Sequence, residues 1–265
     1  MIRSMYSGIS GLKNFQTKLD VIGNNIANVN TYGFKKGRTV FKDLYSQTVA
    51  GATGPGDTRG GVNPKQVGLG SQIAAIDTMH SPGSTQFTGN TLDLAIEGDG
   101  FFVVEDGNGE KLYTRAGNFY LDKDGNIVDG DGRYLSAEGG GPIEVPLEAT
   151  SLSIGQDGIV KYVLNGVLEG EDVVALAKFS NPGGLTKIGG NLYQESANSG
   201  VAEDGTGAPL VDGRGAIKSG SLEMSNVDLS EEFTEMIVAQ RGFQANTRII
   251  TTSDEILQEL VNLKR

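Results

Sequence analysis

Three polar residues at alternate positions, Asp122, Asp124 and Asn126, begin a pattern that often binds calcium in proteins. Such a loop takes oxygen ligands from every second residue, needs a glycine at its sixth position and closes with a glutamate at its twelfth. Here Ile127 occupies the glycine position and Arg133 the glutamate position. We therefore expect a β-hairpin turn at this point of the chain rather than a metal site.

The other residues that could do chemistry are too few to form a catalytic centre. The chain has one histidine, His80, and no cysteine, which excludes a histidine cluster and a thiolate metal site. Gly98-Asp99-Gly100 is half of a dinucleotide-binding fingerprint, but the strand-like pair Phe101-Phe102 follows where a helix would have to begin. We expect Arg115 to pair with a carboxylate at the end of a strand. The sequence thus predicts no enzyme, no cofactor and no bound metal.

Two helices, one at each end of the chain, are the longest predicted elements. Apolar residues recur at intervals of three and four over residues 1–30 and 229–265, which is typical of amphipathic helices that pack on partner helices. Asn and Gly in residues 28–33 should end the first helix, and Asp228 or Ser230 can cap the second. This pattern indicates assembly rather than catalysis. The predicted assembly interface consists of Met5, Ile9, Leu12, Leu19, Ile22, Asn24, Asn25, Ile26, Asn28, Phe233, Met236, Gln240, Phe243, Thr247, Ile250, Leu257 and Val261.

The segment between the helices is rich in glycine and in short strand signals. Of the 40 glycines, 34 lie between Arg38 and Gly220, and Gly-containing turns separate alternating apolar runs. Residues 46–67 contain many Gly and Pro breakers, so we expect an extended arm there. Three hairpins are predicted, joining residues 101–105 to 111–114, 118–121 to 126–128, and 151–154 to 159–163.

These elements predict an α+β fold. In it, the N- and C-terminal α-helices form a coiled-coil-like inner layer, and a mostly antiparallel β domain lies outside. The predicted divisions are a helix over 1–34, an extended connecting arm over 35–70, a Gly-rich β domain over 71–224 and a helix over 225–265.

Charge is unevenly distributed along the chain. The formal net charge is −11, of which residues 1–42 contribute +6 and residues 221–265 contribute −4, so the segment between them is strongly acidic. An acidic body argues against nucleic acid as a partner, and the opposite charges of the end segments favour their association. No apolar run is long enough for a membrane span, and polar residues interrupt the start of the chain, so we expect no cleaved signal peptide.

Three segments carry a resemblance to a known family. They are LDVIGNNIANVNTYGFK (19–35), LDLAIEGDGFFVV…YTRAGNFYLDKDGNIV (92–128) and SNVDLSEEFTEMIVAQRGFQANTRIITTSDEILQELVNL (225–263). In this order they resemble the N-terminal, central and C-terminal signatures of bacterial flagellar axial proteins, the rod and hook subunits. The resemblance implies an inner coiled-coil layer, an outer β domain, helical polymerisation into a tube, and export in unfolded form through the flagellar type III machinery.

The resemblance also implies a location and a set of partners. The location would be the bacterial flagellum, in the hook or the basal-body rod, outside the cytoplasm. The implied partners are further copies of the chain in a helical homopolymer, neighbouring axial and junction proteins, and capping and export proteins. Nucleic acid and a membrane span are not expected.

Within this family the sequence leaves two main interpretations open. The modest length and the arm over residues 46–67 resemble the distal rod, whereas the ending NVDLSEEFTEMIVAQRGFQAN…VNLKR resembles a hook subunit more. We interpret the chain as a hook subunit, the flexible joint that transmits motor torque to the filament. The alternative is the distal rod, the drive shaft of the basal body. A secreted carbohydrate- or ligand-binding β module is a further alternative, although the chain has no Trp for such a site.

Overall fold

A computed structural model describes residues 2–56, 59–107, 109–170, 172–202 and 205–263. In these ranges two long helices flank a series of short strands, and the strand pairs are mostly antiparallel, which confirms the predicted fold class. The helices are α1 (Ile2–Ala27) and α2 (Leu229–Asn262), with a 3-10 helix at Pro182–Gly184. The strands are β1 (Gly37–Asp43), β2 (Ser46–Ala50), β3 (Lys65–Gly68), β4 (Ser71–Thr78), β5 (Thr85–Phe87), β6 (Leu94–Glu97), β7 (Phe101–Glu105), β8 (Lys111–Thr114), β9 (Tyr120–Leu121), β10 (Ile127–Val128), β11 (Tyr134–Leu135), β12 (Ser151–Ile154), β13 (Val160–Leu164), β14 (Val167–Glu169), β15 (Leu176–Ala177), β16 (Thr186–Gly189), β17 (Leu192–Gln194), β18 (Thr206–Gly207), β19 (Ala216–Ser219) and β20 (Ser221–Glu223).

The chain divides into two compact units, which we call unit 1 and unit 2. Unit 1 comprises Met1–Ala27, Gly37–Asp77 and Asp228–Arg265, and unit 2 comprises Asn28–Lys36 and Thr78–Val227. This division joins strands β1 to β4 with the two helices. The divisions proposed from the sequence instead separate residues 35–70 as an arm.

The helices of unit 1 begin and end close to the predicted positions. α1 ends at Ala27 and turns follow it, while residues 1, 264 and 265 of the predicted helices lie outside the described residues. The Asp228 carboxylate caps α2 by accepting hydrogen bonds from the amides of Ser230 (2.7 Å) and Glu231 (3.4 Å). This confirms Asp228 as the cap, and the acidic first turn suits the positive end of the helix dipole.

Over residues 37–50 and 65–77, unit 1 forms a two-stranded ribbon. β1 pairs with β4, and β2 pairs antiparallel with β3. The amides of Leu44 and Leu69 donate to Gly70 O (2.9 Å) and Tyr45 O (3.1 Å), so the pairing runs through the bend between the two strand pairs. The sequence predicted an extended arm over residues 46–67, and within it β2 and β3 are extended strands that pair with each other. Pairing satisfies backbone groups that an isolated extended chain would leave to water.

Unit 2 is built around an antiparallel sheet in the order β16-β17-β8-β7-β11-β10-β9, with β15 attached to β7 and β18 to β15. The three predicted hairpins are confirmed as the pairs β7–β8, β9–β10 and β12–β13. The turn between β9 and β10 closes through a bond from the Gly125 amide to Asp122 O (3.0 Å). The calcium-like residues therefore lie at the expected hairpin turn.

Strand β7 separates the two hydrophobic clusters of unit 2. Phe102 and Val104 belong to the larger cluster, and Phe101 and Val103 belong to the smaller one. Alternate side chains of a strand point to opposite faces of the sheet, so one strand contributes to both clusters. Burial on both faces explains why the run FFVV is continuously apolar.

Candidate assembly site

In unit 1 the two terminal helices pack against each other in antiparallel orientation. Positions further along α1 contact positions earlier along α2, which fixes the relative direction of the helices. The approach is close, because a Cβ built on Gly242 would lie 2.5 Å from the Phe15 ring. Following α1 from its start, the neighbouring pairs are Gly8 with Ile250, Gly11 with Asn246, Phe15 with Gly242, and Asn25 with Glu232.

This intrachain seam consists largely of small and polar residues. Of the described residues of α2, only Glu232, Ala239 and Ser253 are buried. On α1, Asn14 is buried and its side-chain amide donates to Ser71 Oγ (2.8 Å). Small residues let two helix backbones approach closely, so this seam forms without burying the large apolar side chains of α2.

Asn25 holds three parts of unit 1 together. Its side-chain amide donates to Gly37 O (2.9 Å) and to Glu232 Oε2 (3.1 Å), and its Oδ1 accepts a hydrogen bond from the Gly37 amide (2.9 Å). The side chain is almost completely buried. Both the donor and the acceptor of the amide are used, so an aspartate or a leucine could not replace it without leaving a buried polar group unpaired.

The predicted interface residues differ widely in exposure within one chain. Ile22 and Asn25 are buried by contacts inside the chain. The half-buried members are Met5, Leu12, Leu19, Ile26, Asn28, Met236, Ile250 and Leu257. The exposed members are Ile9, Asn24, Phe233, Gln240, Phe243, Thr247 and Val261. Contacts of these residues with a second copy remain a prediction.

A second set of apolar residues on α2 was missed by the sequence analysis. We call it the outer stripe, and its members are between 43% and 59% exposed. From Val238 onward its members follow one another at intervals of 11, 7 and 4 residues, which is a helical spacing that could have been recognised in the sequence. The outer stripe consists of Ile237, Val238, Ile249, Ile256 and Leu260.

Unit 2 contains a buried cluster of charged residues. Glu223, at the end of β20, accepts hydrogen bonds from Lys35 Nζ at Oε1 (2.6 Å) and from Arg115 Nη1 at Oε2 (3.3 Å). All three side chains are almost completely buried. The pairing of Arg115 with a strand-end carboxylate was predicted and is confirmed, whereas the part played by Lys35 was not predicted.

Burial opposes the charges of this cluster, and ion pairing favours them. The pKa of Lys35 is lowered mainly by burial and in part by the neighbouring Arg115, while Glu223 acts in the opposite direction. Burial likewise lowers the pKa of Arg115. Two buried cations share the single Glu223 carboxylate in this arrangement, so loss of Glu223 would leave both without their anionic partner.

His80 lies beside this cluster. Its ring packs on Phe101 and Tyr193, with centroids 5.6 Å and 5.5 Å away. Burial, together with the positive charges of Lys35, Arg115 and Lys187, lowers the pKa of His80 to about 4. His80 is therefore neutral at pH 7 and adds no third positive charge.

The described residues offer little to a metal or a membrane. They contain no group of three or more His, Asp or Glu residues placed to bind a metal ion. Neither helix is long and apolar enough, over the part that the structure covers, to cross a membrane. The features left to explain are the helix pair of unit 1 and the charged cluster of unit 2.

Comparison with known proteins gives matches along the whole chain. Residues 5–35 match the family described as "Flagella basal body rod protein", residues 95–162 match "Flagellar hook protein FlgE/F/G D1 domain", and residues 218–263 match "Flagellar basal body rod FlgEFG protein C-terminal". The three matches overlap the three segments that carried the resemblance in the sequence.

Individual relatives agree with these family matches. The chain is 62% identical to the flagellar basal-body rod protein FlgG of Bacillus subtilis, with all of both chains covered. It is 39% identical to FlgG of Borreliella burgdorferi, again over the full length of both. With the flagellar hook protein FlgE of Borreliella burgdorferi it is 32% identical in an alignment of 445 positions that covers both chains completely. The chain belongs to the bacterial flagellar axial protein family and is a structural component of the flagellum, not an enzyme.

Proposed function

We propose that the chain is a subunit of the distal rod of the flagellar basal body, and not of the hook that its C-terminal sequence suggested. The observation that supports this is the end-to-end match to FlgG of Bacillus subtilis at 62% identity. Within Borreliella burgdorferi, FlgG is also more similar to the chain than FlgE is, at 39% against 32%. The FlgE alignment spans 445 positions against 265 residues here, so this hook protein has long segments without a counterpart in the chain.

The ribbon of unit 1 is consistent with a stiff shaft. Residues 46–67 resembled the distal rod at the level of sequence, and within this region β2 pairs with β3, with Gln47 opposite Val67. A paired ribbon resists bending more than a single extended chain, because each strand is tied to the other by backbone hydrogen bonds. Val49 and Val67 on this ribbon are exposed and available to a neighbouring subunit.

Polymerisation would use the helix surfaces that one chain leaves uncovered. The outer stripe and the exposed members of the predicted interface, such as Phe233 and Val261, are apolar and lie in water in the single chain. Each square ångström of apolar surface removed from water contributes about 25 cal/mol, so covering a stripe of this length favours assembly. We propose further copies of the chain as the main partner, in a helical homopolymer.

Other partners and the export route follow from the same proposal. A rod subunit would contact neighbouring axial and junction proteins at the ends of its polymer, and capping and export proteins before assembly. Export would proceed through the flagellar type III machinery without a cleaved signal peptide. The terminal helices would then complete their packing only in the polymer, since an amphipathic helix gains most of its stability from tertiary contacts.

Genetic complementation distinguishes rod from hook. Expressed in Bacillus subtilis lacking its own FlgG, the chain should restore basal bodies and swimming, whereas in a strain lacking the hook protein it should restore neither. Restoration only in the hook-deficient strain would overturn the proposal. The variant Ile249→Asp should fail in the first strain, because it places a charge on the outer stripe, and the matched control Ile249→Val should succeed.

A further inference from the structure

Lys35 and Glu223 of the charged cluster are close in sequence to positions at which the chain passes from one unit to the other. The chain passes from one unit to the other after Ala27, Lys36, Asp77 and Val227. Three segments of unit 2 are therefore next to these passages, namely residues 28–36, 78–84 and 223–227. We call them the connecting segments, and their contacts with one another all lie inside unit 2.

Glu223 binds the other two connecting segments. Its carboxylate accepts hydrogen bonds from Lys35 Nζ (2.6 Å) and from the Gly83 amide (2.9 Å), both at Oε1. Its backbone carbonyl accepts a third bond, from the Gly33 amide (2.8 Å). Lys35 Nζ also donates to Ser81 O (2.9 Å), so the first and second segments are joined directly as well.

Asn226 repeats this arrangement three residues later. Its Oδ1 accepts a hydrogen bond from the Lys36 amide (2.8 Å). Its side-chain amide donates to Met79 O (2.8 Å) and to Ser81 O (3.2 Å). The Met79 amide donates in turn to Lys36 O (2.9 Å), which closes a ring of bonds through all three segments.

Two glycines of these segments lie in direct backbone contact with other parts of unit 2. Gly33 has a φ of +68°, and a Cβ at this position would lie 2.5 Å from the amide nitrogen of Ala116, which is outside the connecting segments. A Cβ on Gly83 would overlap with the carbonyl oxygen of Met224 in the third segment. Any side chain at either glycine would force the backbones apart.

We propose that Glu223 and Asn226 are positioning residues that bind the three connecting segments into one cooperative joint inside unit 2, which opens as a whole. The joint gives a physical role to Gly33, Lys35 and Asn226, which lie in the two terminal signature segments.

Amide hydrogen exchange on the full-length unassembled chain tests the joint. In Asn226→Ala, the amides of Lys36 and Met79 should exchange faster, and so should the amides of Gly33 and Gly83, although neither donates to Asn226. We expect an increase of roughly 10- to 100-fold at all four, from the loss of several hydrogen bonds in one cooperative unit. Exchange in β7 should stay unchanged, which excludes general unfolding as the cause.

The matched control is Asn181→Ala, which removes a bond from an asparagine side chain to Asn198 O (3.0 Å) elsewhere in unit 2. It should leave the four amides protected. Faster exchange at Lys36 alone in Asn226→Ala would overturn the joint, because it would show that the segments open independently. Glu223→Gln should also speed up hydrogen exchange at the same four amides, because the side chain at position 223 then has no negative charge to pair with Lys35.

The exchange experiment is independent of the rod assignment. It uses the chain before assembly, so a failure of complementation leaves the exchange result intact, and a failure of cooperative exchange leaves the rod assignment intact.

Discussion

The two units of this protein bury their apolar side chains to different extents. In unit 2, Leu94, Phe102 and Leu176 are completely buried within one chain. In unit 1, the described part of α2 buries only one glutamate, one alanine and one serine, and its large apolar side chains are half-buried or exposed. Unit 2 thus closes its own core, whereas unit 1 leaves large apolar side chains of α2 exposed.

The difference comes from the geometry of the elements. A sheet covered on both faces buries both sides of a central strand, as it does for the first four residues of β7. A pair of helices buries one stripe of each, and the remaining stripes face outwards. In the proposed homopolymer, these remaining stripes would be the surfaces that contact neighbouring copies.

The largest expected effect comes from opening the core of unit 2. Phe102→Ala should destabilise unit 2 by about 3–5 kcal/mol, because Phe102 is fully buried and its ring meets Phe119 edge-to-face at 5.3 Å. The control Phe87→Ala removes a ring that is 79% exposed and should cost less than about 0.5 kcal/mol. Denaturant unfolding followed by tyrosine fluorescence measures both. Equal costs for the two variants would contradict a closed core.

An intermediate effect is expected from His80 as the pH is lowered. The pKa of His80 in the folded chain is about 4, below its ordinary value of 6.5. As the pH falls, the unfolded chain therefore binds this proton at a higher pH than the folded chain does. The stability that depends on neutral His80 is complete above pH 6.5 and is lost as the pH falls towards 4, by up to about 3 kcal/mol. Lys35, Arg115 and Lys187 face the ring and disfavour its charge, while Asp99 lines the same cavity.

The measurement is the free energy of unfolding at a series of pH values, for the natural chain and for His80→Gln. The variant cannot take up this proton, so the difference between the two curves isolates His80 from the carboxylates that titrate in the same range. Parallel curves between pH 6.5 and 4 would show that His80 is not held neutral.

The smallest effect is expected at the helix seam of unit 1. Gly242→Val should cost about 1–3 kcal/mol of helix stability, because the added side chain overlaps with the Phe15 ring. Phe15→Ala should relieve that overlap, so the double variant should be more stable than the sum of the two single changes implies. Thermal unfolding by circular dichroism gives the four stabilities of this cycle. If the stability changes of the two single variants simply added up in the double variant, Phe15 and Gly242 would not be in contact.

Local features of the fold could be predicted because they depend on neighbouring residues. The cap at Asp228 follows from one side chain and the amides two and three residues away. The three hairpins follow from turn residues between alternating runs, and the helices from apolar spacing. For residues 46–67, the Gly and Pro residues led us to expect an extended arm. The sequence pattern did not indicate that strands in this segment pair with each other.

The positions of the site residues could be predicted only in part. The outer stripe was present in the sequence as a second periodic pattern, but periodicity alone does not say which of two stripes faces the partner inside the chain. The small residues Gly8, Gly11 and Gly242 decided it, since they allow the backbones of α1 and α2 to approach closely on one side, where Phe15 packs on Gly242.

The sequence by itself determined the family, the helix and hairpin positions, and the expectation that Arg115 meets a carboxylate. The tertiary structure alone decided which carboxylate that is, and that Lys35 joins it although 188 positions separate Lys35 from Glu223. The physical reason is that a charge pair of this kind is stable only where the fold excludes water and supplies the remaining hydrogen bonds. Segments that are distant in sequence create this environment together, so no local sequence pattern can predict it.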